Sequence, residues 1–147
     1  MSASFVLMPV IGSVLASVAA MASTQATDEP SVTDLRGRCD YRPEVLKSIL
    51  PDTGLALCNS VRIERNADAS VIDFRQTLGG SQFRYEGTWT GDGMAINRLA
   101  IRGRAPKPAT GDCTVYRNAG QISTITCIAK AERKAFAANF VASRVNR

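Results

Sequence analysis

The stretch from Gly111 to Cys127, GDCTVYRNAGQISTITC, constrains this chain most, because it reads as one β-hairpin with a cysteine on each arm. Asn118 and Gly120 tolerate the positive φ a tight turn demands, and β-branched or aromatic residues flank them. Cys113, Val115 and Arg117 alternate on one arm, and Ser123, Ile125 and Cys127 on the other. An odd loop puts all six on one face. Three loops stay open. One of three residues centred on Gly120 sets Cys113 opposite Cys127, within bridging reach. One centred on Ala119 sets Cys113 against Ile125. The two-residue loop Ala119-Gly120 sends the sulfurs to opposite faces. Four cysteines allow three pairings. We take the first loop, which predicts Cys113–Cys127, with Cys39–Cys58 as the second bond.

An even cysteine count in a small chain points to an oxidising compartment. Zinc is disfavoured, since the cysteines lack CxxC spacing and the chain has no histidine. The amino end agrees with export. Phe5 to Ala20 is nearly all apolar or small, no charge precedes Asp28, and Ala20-Met21-Ala22 has the small-x-small pattern of a cleavage site. Residues 1–22 are therefore expected to be a signal peptide and the mature protein periplasmic or secreted. Pro9 and Gly12 interrupt the apolar run and no basic stop-transfer cluster follows, so no stable membrane insertion is expected after cleavage. Residues 23–34, small and polar, are expected to be a disordered lead-in. Residues 35–147 would form a single β-rich domain.

Within that domain Pro43 to Leu50 predicts a short helix, with proline at its first position and Val45, Leu46, Ile49 and Leu50 as an apolar stripe. Alternation then marks strands. Val61 and Ile63 share a face, as do Ile72 and Phe74, and Phe83, Tyr85 and Trp89. Gly87 lies on the inward face and implies close backbone approach or a bend. Met94 and Ile96 are out of phase with Leu99 and Ile101, which predicts a bulge near Asn97-Arg98. Gly103 to Thr110 holds two prolines and reads as a loop. The tail from Ala129 to Arg147 fits strand or helix, 132–145 especially, and either form puts Phe136 and Phe140 in the core. The expected fold is mainly β: a small, disulfide-braced antiparallel sandwich or barrel of consecutive hairpins, about six or seven strands with one short N-terminal helix.

Chemistry is harder to find. Without histidine, Ser-His and Cys-His arrangements are excluded. No phosphate-cradling glycine motif occurs, and no cofactor is expected. Carboxylate pairs remain open in principle, for example Asp73 with Glu86 on neighbouring strands, and both read as solvated cross-strand partners of Arg75 and Arg84. Gly87-Thr88-Trp89 resembles the glycine-x-tryptophan of lipocalins, barrel carriers of small apolar ligands. That motif opens the first strand of a lipocalin barrel, whereas only 58 residues follow Trp89 here. We read it as a core tryptophan with a packing glycine.

The net charge of +5 favours anionic partners. Arg98, Arg102, Arg104 and Lys107 cluster at a strand end and a proline-stiffened loop, a candidate patch for an anionic partner. Aromatics are not interleaved with these charges, which argues against nucleic acid. The function expected is a non-enzymatic, inhibitor-like binding or interaction module for an unknown protein or anionic envelope component. A carrier of a small apolar ligand in the β core is the alternative, and a carboxylate-only hydrolase a second.

Overall fold

Nine strands and one short helix follow in order: β1 (Ser31–Cys39), α1 (Pro43–Ser48), β2 (Thr53–Leu55), β3 (Ser60–Arg65), β4 (Ser70–Gln76), β5 (Gly80–Thr90), β6 (Gly93–Ile101), β7 (Lys107–Asn118), β8 (Gln121–Ala131) and β9 (Lys134–Ala142). They are seen in a computed structural model that describes residues 29–49 and 51–144. The expected signal segment 1–22 lies outside the described residues. Among those described, no helix is long and apolar enough to cross a membrane.

Strands β3 to β9 form an antiparallel meander, and β1 pairs with both of its ends, β3 and β9. The outcome is a closed eight-stranded barrel, with β2 added in parallel on β9. Closure needs tight backbone contact at the seam. A Cβ on Gly37 would lie 2.1 Å from the Val141 carbonyl oxygen, so only glycine lets β1 meet β9 there.

The inward faces supply a filled interior. Phe74 and Tyr85 meet edge to face with centroids 5.7 Å apart, and Phe83 and Phe136 at 5.6 Å. Such aromatic pairs add about 1 kcal/mol each beyond area burial. Tyr85 is wholly buried and its hydroxyl donates to the Phe136 carbonyl at 3.1 Å. Burial pushes its pKa well above the ordinary value. Val61, Ile63, Ile72, Met94 and Leu99 complete the centre as their alternation predicts.

Several expectations need correction. The lead-in does not extend to residue 34: Ser31 to Asp34 are already strand, paired with Arg65 to Arg62 of β3. Their side chains are exposed, so backbone hydrogen bonding rather than burial orders them. The loop 103–110 is shorter than expected, because Lys107 to Thr110 belong to β7. Pro108 is accommodated beside a register shift, with Arg98 opposite Pro108 but Ile96 opposite Gly111. The tail is strand, and Phe136 and Phe140 are both buried. Asn97 is the expected bulge: Gly87 opposes Ile96 and Glu86 opposes Arg98, leaving Asn97 without a partner on β5.

Both disulfides form as expected, Cys39–Cys58 and Cys113–Cys127. They are compatible with an oxidising compartment. The hairpin reaches the second bond by the two-residue loop, which by itself would send the sulfurs to opposite faces. Asn118 pairs with Gln121, so the loop is the two residues Ala119-Gly120, with φ of 50° and 77° as a type I′ turn requires. Arg117 then opposes Ile122 while Tyr116 opposes Thr124, and the extra residue, Ser123, restores parity. Cys113 therefore faces Cys127 after all.

Candidate functional site

The end of the barrel where β5 begins and β6 finishes carries a shallow recess of about 460 Å³. Its floor is Phe83, Ile101 and Phe136, and its rim carries Arg102, Arg104 and Lys134. β2 forms one wall. Gly54 faces Phe136 closely, since a Cβ there would lie 2.8 Å from the ring, and its lack of a side chain keeps the mouth open. Among the described residues, none of the three rim cations forms an ion pair. Asp52 is the one carboxylate among the described residues that lines the recess.

The candidate patch is thus split. Arg102 and Arg104 reach the mouth. Lys107 lies at the same end, 5.8 Å from the Phe136 ring centre, but its ammonium is held by Glu132 at 3.5 Å. Arg98 is elsewhere, on the outer face of β6 with Glu86 at 3.9 Å. Lys134 was missed because only the β8–β9 register, Ala131 opposite Lys134, brings it to this end.

A second recess, about 720 Å³ and mostly apolar, lies outside the barrel between α1 and the outer face of β8 and β9. Tyr41, Val45, Ile49, Leu55, Ile128 and Ala137 line it. The helix was expected to dock its apolar stripe, and it does so incompletely: none of its residues is buried, and Val45 and Leu46 remain about half exposed. Leu50 lies outside the described residues. The Cys39–Cys58 bond ties the two ends of this excursion to the barrel. Tyr41 anchors it too, donating its hydroxyl to the Ala56 carbonyl at 2.7 Å, and burial pushes its pKa up to about 12.

The carboxylate pair does different work. Asp73 on β4 faces Arg62 and Arg84 across the strands, accepts from the Ser81 hydroxyl at 2.6 Å and lies 3.5 Å from the Arg75 guanidinium. Glu86 is held by Arg84 at 3.3 Å and Arg98 at 3.9 Å. Both are partnered as expected, but Asp73 is not solvated: it is only 5% exposed. β4 is paired on both sides, with Arg62 and Arg84 opposite Asp73, and its residues from Ser70 to Phe74 are buried on both faces. Neither carboxylate lines the mouth or the groove.

Burial raises the Asp73 pKa, and the Ser81 hydrogen bond with the Arg75 and Arg84 charges only partly offsets it. The folded state then holds the Asp73 proton more tightly than the unfolded chain. Its contribution to stability is least favourable above the folded pKa and improves as pH falls through that value towards the unfolded one near 3.9. Asp73→Asn, which keeps a neutral acceptor for Ser81, should melt higher than the parent at pH 7. That advantage should shrink as the pH approaches about 4. Scanning fluorimetry across this range checks it, and an advantage that grows on acidification would contradict it.

Trp89 is half-buried rather than central. Its indole N–H donates to the Gly91 carbonyl at 3.0 Å, and the Arg65 guanidinium stacks over its ring at 4.6 Å. Gly87 has the packing role expected of it, with the Ala95 carbonyl 1.9 Å from where a Cβ would sit. No family model, curated protein or solved structure matches the chain.

Proposed function

We propose that this protein is an exported, non-enzymatic binding module that takes an anionic envelope component at the mouth of its barrel. The observation that carries the reading is the ring of Arg102, Arg104 and Lys134 around an apolar floor, with no ion pair to any of the three among the described residues. Barrel mouths are common ligand sites, because a rigid sheet holds converging side chains in place. Arginine is suited to the task, since its fork matches a carboxylate or phosphate edge. The interior itself is filled by Phe74, Tyr85, Met94, Leu99, Ile125 and Phe140, each under 2% exposed, which favours a mouth site over a carrier with its ligand in the core.

Vesicles of phosphatidylglycerol with phosphatidylcholine should bind the protein, and phosphatidylcholine vesicles should not. Near an anionic surface each cation contributes about 1 kcal/mol, so R102A/R104A/K134A should bind roughly a hundredfold more weakly at low salt. Its melting temperature should be nearly unchanged, since the rim is exposed. Equal binding by the triple variant at low salt would refute the mouth as the site.

A further inference from the structure

We infer that the component taken at the mouth is a long-chain fatty acid, its carboxylate on the rim cations and its acyl chain in the groove beneath α1. The inference rests on the proposed anionic-binding reading and adds the ligand's chemistry. The two recesses are not independent features. They meet at β2, where Thr53 and Leu55 line both. On one side of that strand lies a cationic rim; on the other lies a mostly apolar cleft of about 720 Å³, whose lining also includes Asp40, Arg42 and Lys130. Their combined chemistry is that of an amphiphile: one apolar body and one compact negative end.

Charge complementarity selects the occupant. A peptide helix laid in the groove would satisfy the apolar wall but leave Arg102, Arg104 and Lys134 without a counter-charge. A soluble anion would satisfy the rim and leave Val45, Ile128 and Leu55 facing water. One acyl chain ending in a carboxylate satisfies both. The groove is of the size usual for small-molecule sites, roughly 300–1,000 Å³. A carboxylate is small enough for a shallow mouth and accepts two parallel hydrogen bonds from an arginine.

The groove is also built to yield. Its outer wall, α1, has six residues and buries none of them, so packing holds it only lightly. The Cys39–Cys58 bond and the Tyr41 hydroxyl keep that wall attached while it shifts. A chain can therefore enter from the side without disturbing the barrel.

Palmitate, used below its micelle concentration, is the probe, with titration calorimetry as the readout. The wild-type protein should bind one equivalent with a negative heat-capacity change, the mark of apolar burial. Ala137→Phe fills the groove without touching the rim and should weaken palmitate at least tenfold while leaving vesicle binding intact. Val45→Trp, on the exposed helix, does the same from the opposite wall and serves if the first variant is unstable. R102A/R104A/K134A should weaken both ligands. Hexadecanol, with the chain but no charge, should bind less tightly than palmitate and should be insensitive to the triple change. No palmitate binding, or binding that both groove variants leave untouched, overturns the inference. If vesicles still bind in that case, the anionic reading of the mouth survives alone. If neither ligand binds, both fail.

Discussion

Replacing Cys113 and Cys127 together by Ala is expected to lower stability by about 3 kcal/mol, the loop-closure term for a bridge of this span. The bond encloses a sequence separation of 14 residues and ties β7 to β8, which are already paired along their length. In the folded state it therefore adds little that the ladder lacks. Its effect lies in the unfolded chain, which it prevents from separating the two arms. Both sulfurs are also buried, 2% and 0% exposed for Cys113 and Cys127, so the double change removes packed volume from the barrel wall. For a domain of this size the melting temperature should fall by about 10 °C or more. Removing Cys39 and Cys58 instead acts at another place. That bridge spans 19 residues and holds the ends of the excursion carrying α1 and β2, so its loss should loosen the groove. Thermal melts of the two double variants against the oxidised parent make the comparison. An unchanged melting temperature for the Cys113/Cys127 variant would show that the bond restricts the unfolded chain too little to stabilise the fold, and would overturn the prediction.

What could be read from the sequence follows from how local each feature is. Alternation at Val61/Ile63, Ile72/Phe74 and Phe83/Tyr85 reports a buried face directly, and those faces are the barrel interior. The parity change between Ile96 and Leu99 reported the Asn97 bulge, because one extra residue inverts every facing beyond it. The disulfide pairing was also legible, though through a turn and a bulge at Ser123 that happen to add to the predicted register. Closure was not legible. It depends on β1, whose first four residues are all exposed, Val32 included, and show no burial pattern. Nor was the strand character of Lys107 to Thr110, since Pro108 argues against it locally and only a neighbouring register shift accommodates the ring.

The candidate site was legible in part for the same reason. Arg102 and Arg104 sit next to a strand end and travel with it to the mouth. Lys134 arrives from a hairpin some 30 residues on, whose strand character the sequence left undecided. Lys107 was sequence-adjacent to the pair, yet Glu132 takes its charge, a contact between two hairpins that no local pattern announces. The apolar groove needs even more: a helix, two strands and β2 brought together by the barrel's closure. Sites assembled from four elements leave almost no trace in any one of them.

Gly87→Ala is expected to be among the most damaging single-methyl additions this chain can suffer, at about 3 kcal/mol. Gly87 sits on β5 where the Asn97 bulge shifts the register, opposite Ile96. There the two backbones draw together, and an added Cβ would lie 1.9 Å from the Ala95 carbonyl oxygen and 3.0 Å from the Ile96 Cα. Both neighbours are main-chain atoms on a paired strand. No rotamer change relieves the contact, so β5 and β6 must separate or the bulge must move. If the bulge moves by one residue, the facing of Met94 and Ile96, now 1% and 5% exposed, is inverted. The strain therefore either breaks ladder hydrogen bonds or turns core side chains towards water. Gly80→Ala is the control, because that glycine has open space around its Cβ position and costs only the strain of its φ of 66°. That is about 1 kcal/mol. Trp89, the one tryptophan of the chain, is two residues from Gly87 and stacks beneath Arg65, so its fluorescence reports the region directly. Denaturant titration followed by that signal should show the Gly87→Ala midpoint well below that of Gly80→Ala. Midpoints in the reverse order would mean that β5 and β6 do not approach as closely at Ala95 as the bulge implies.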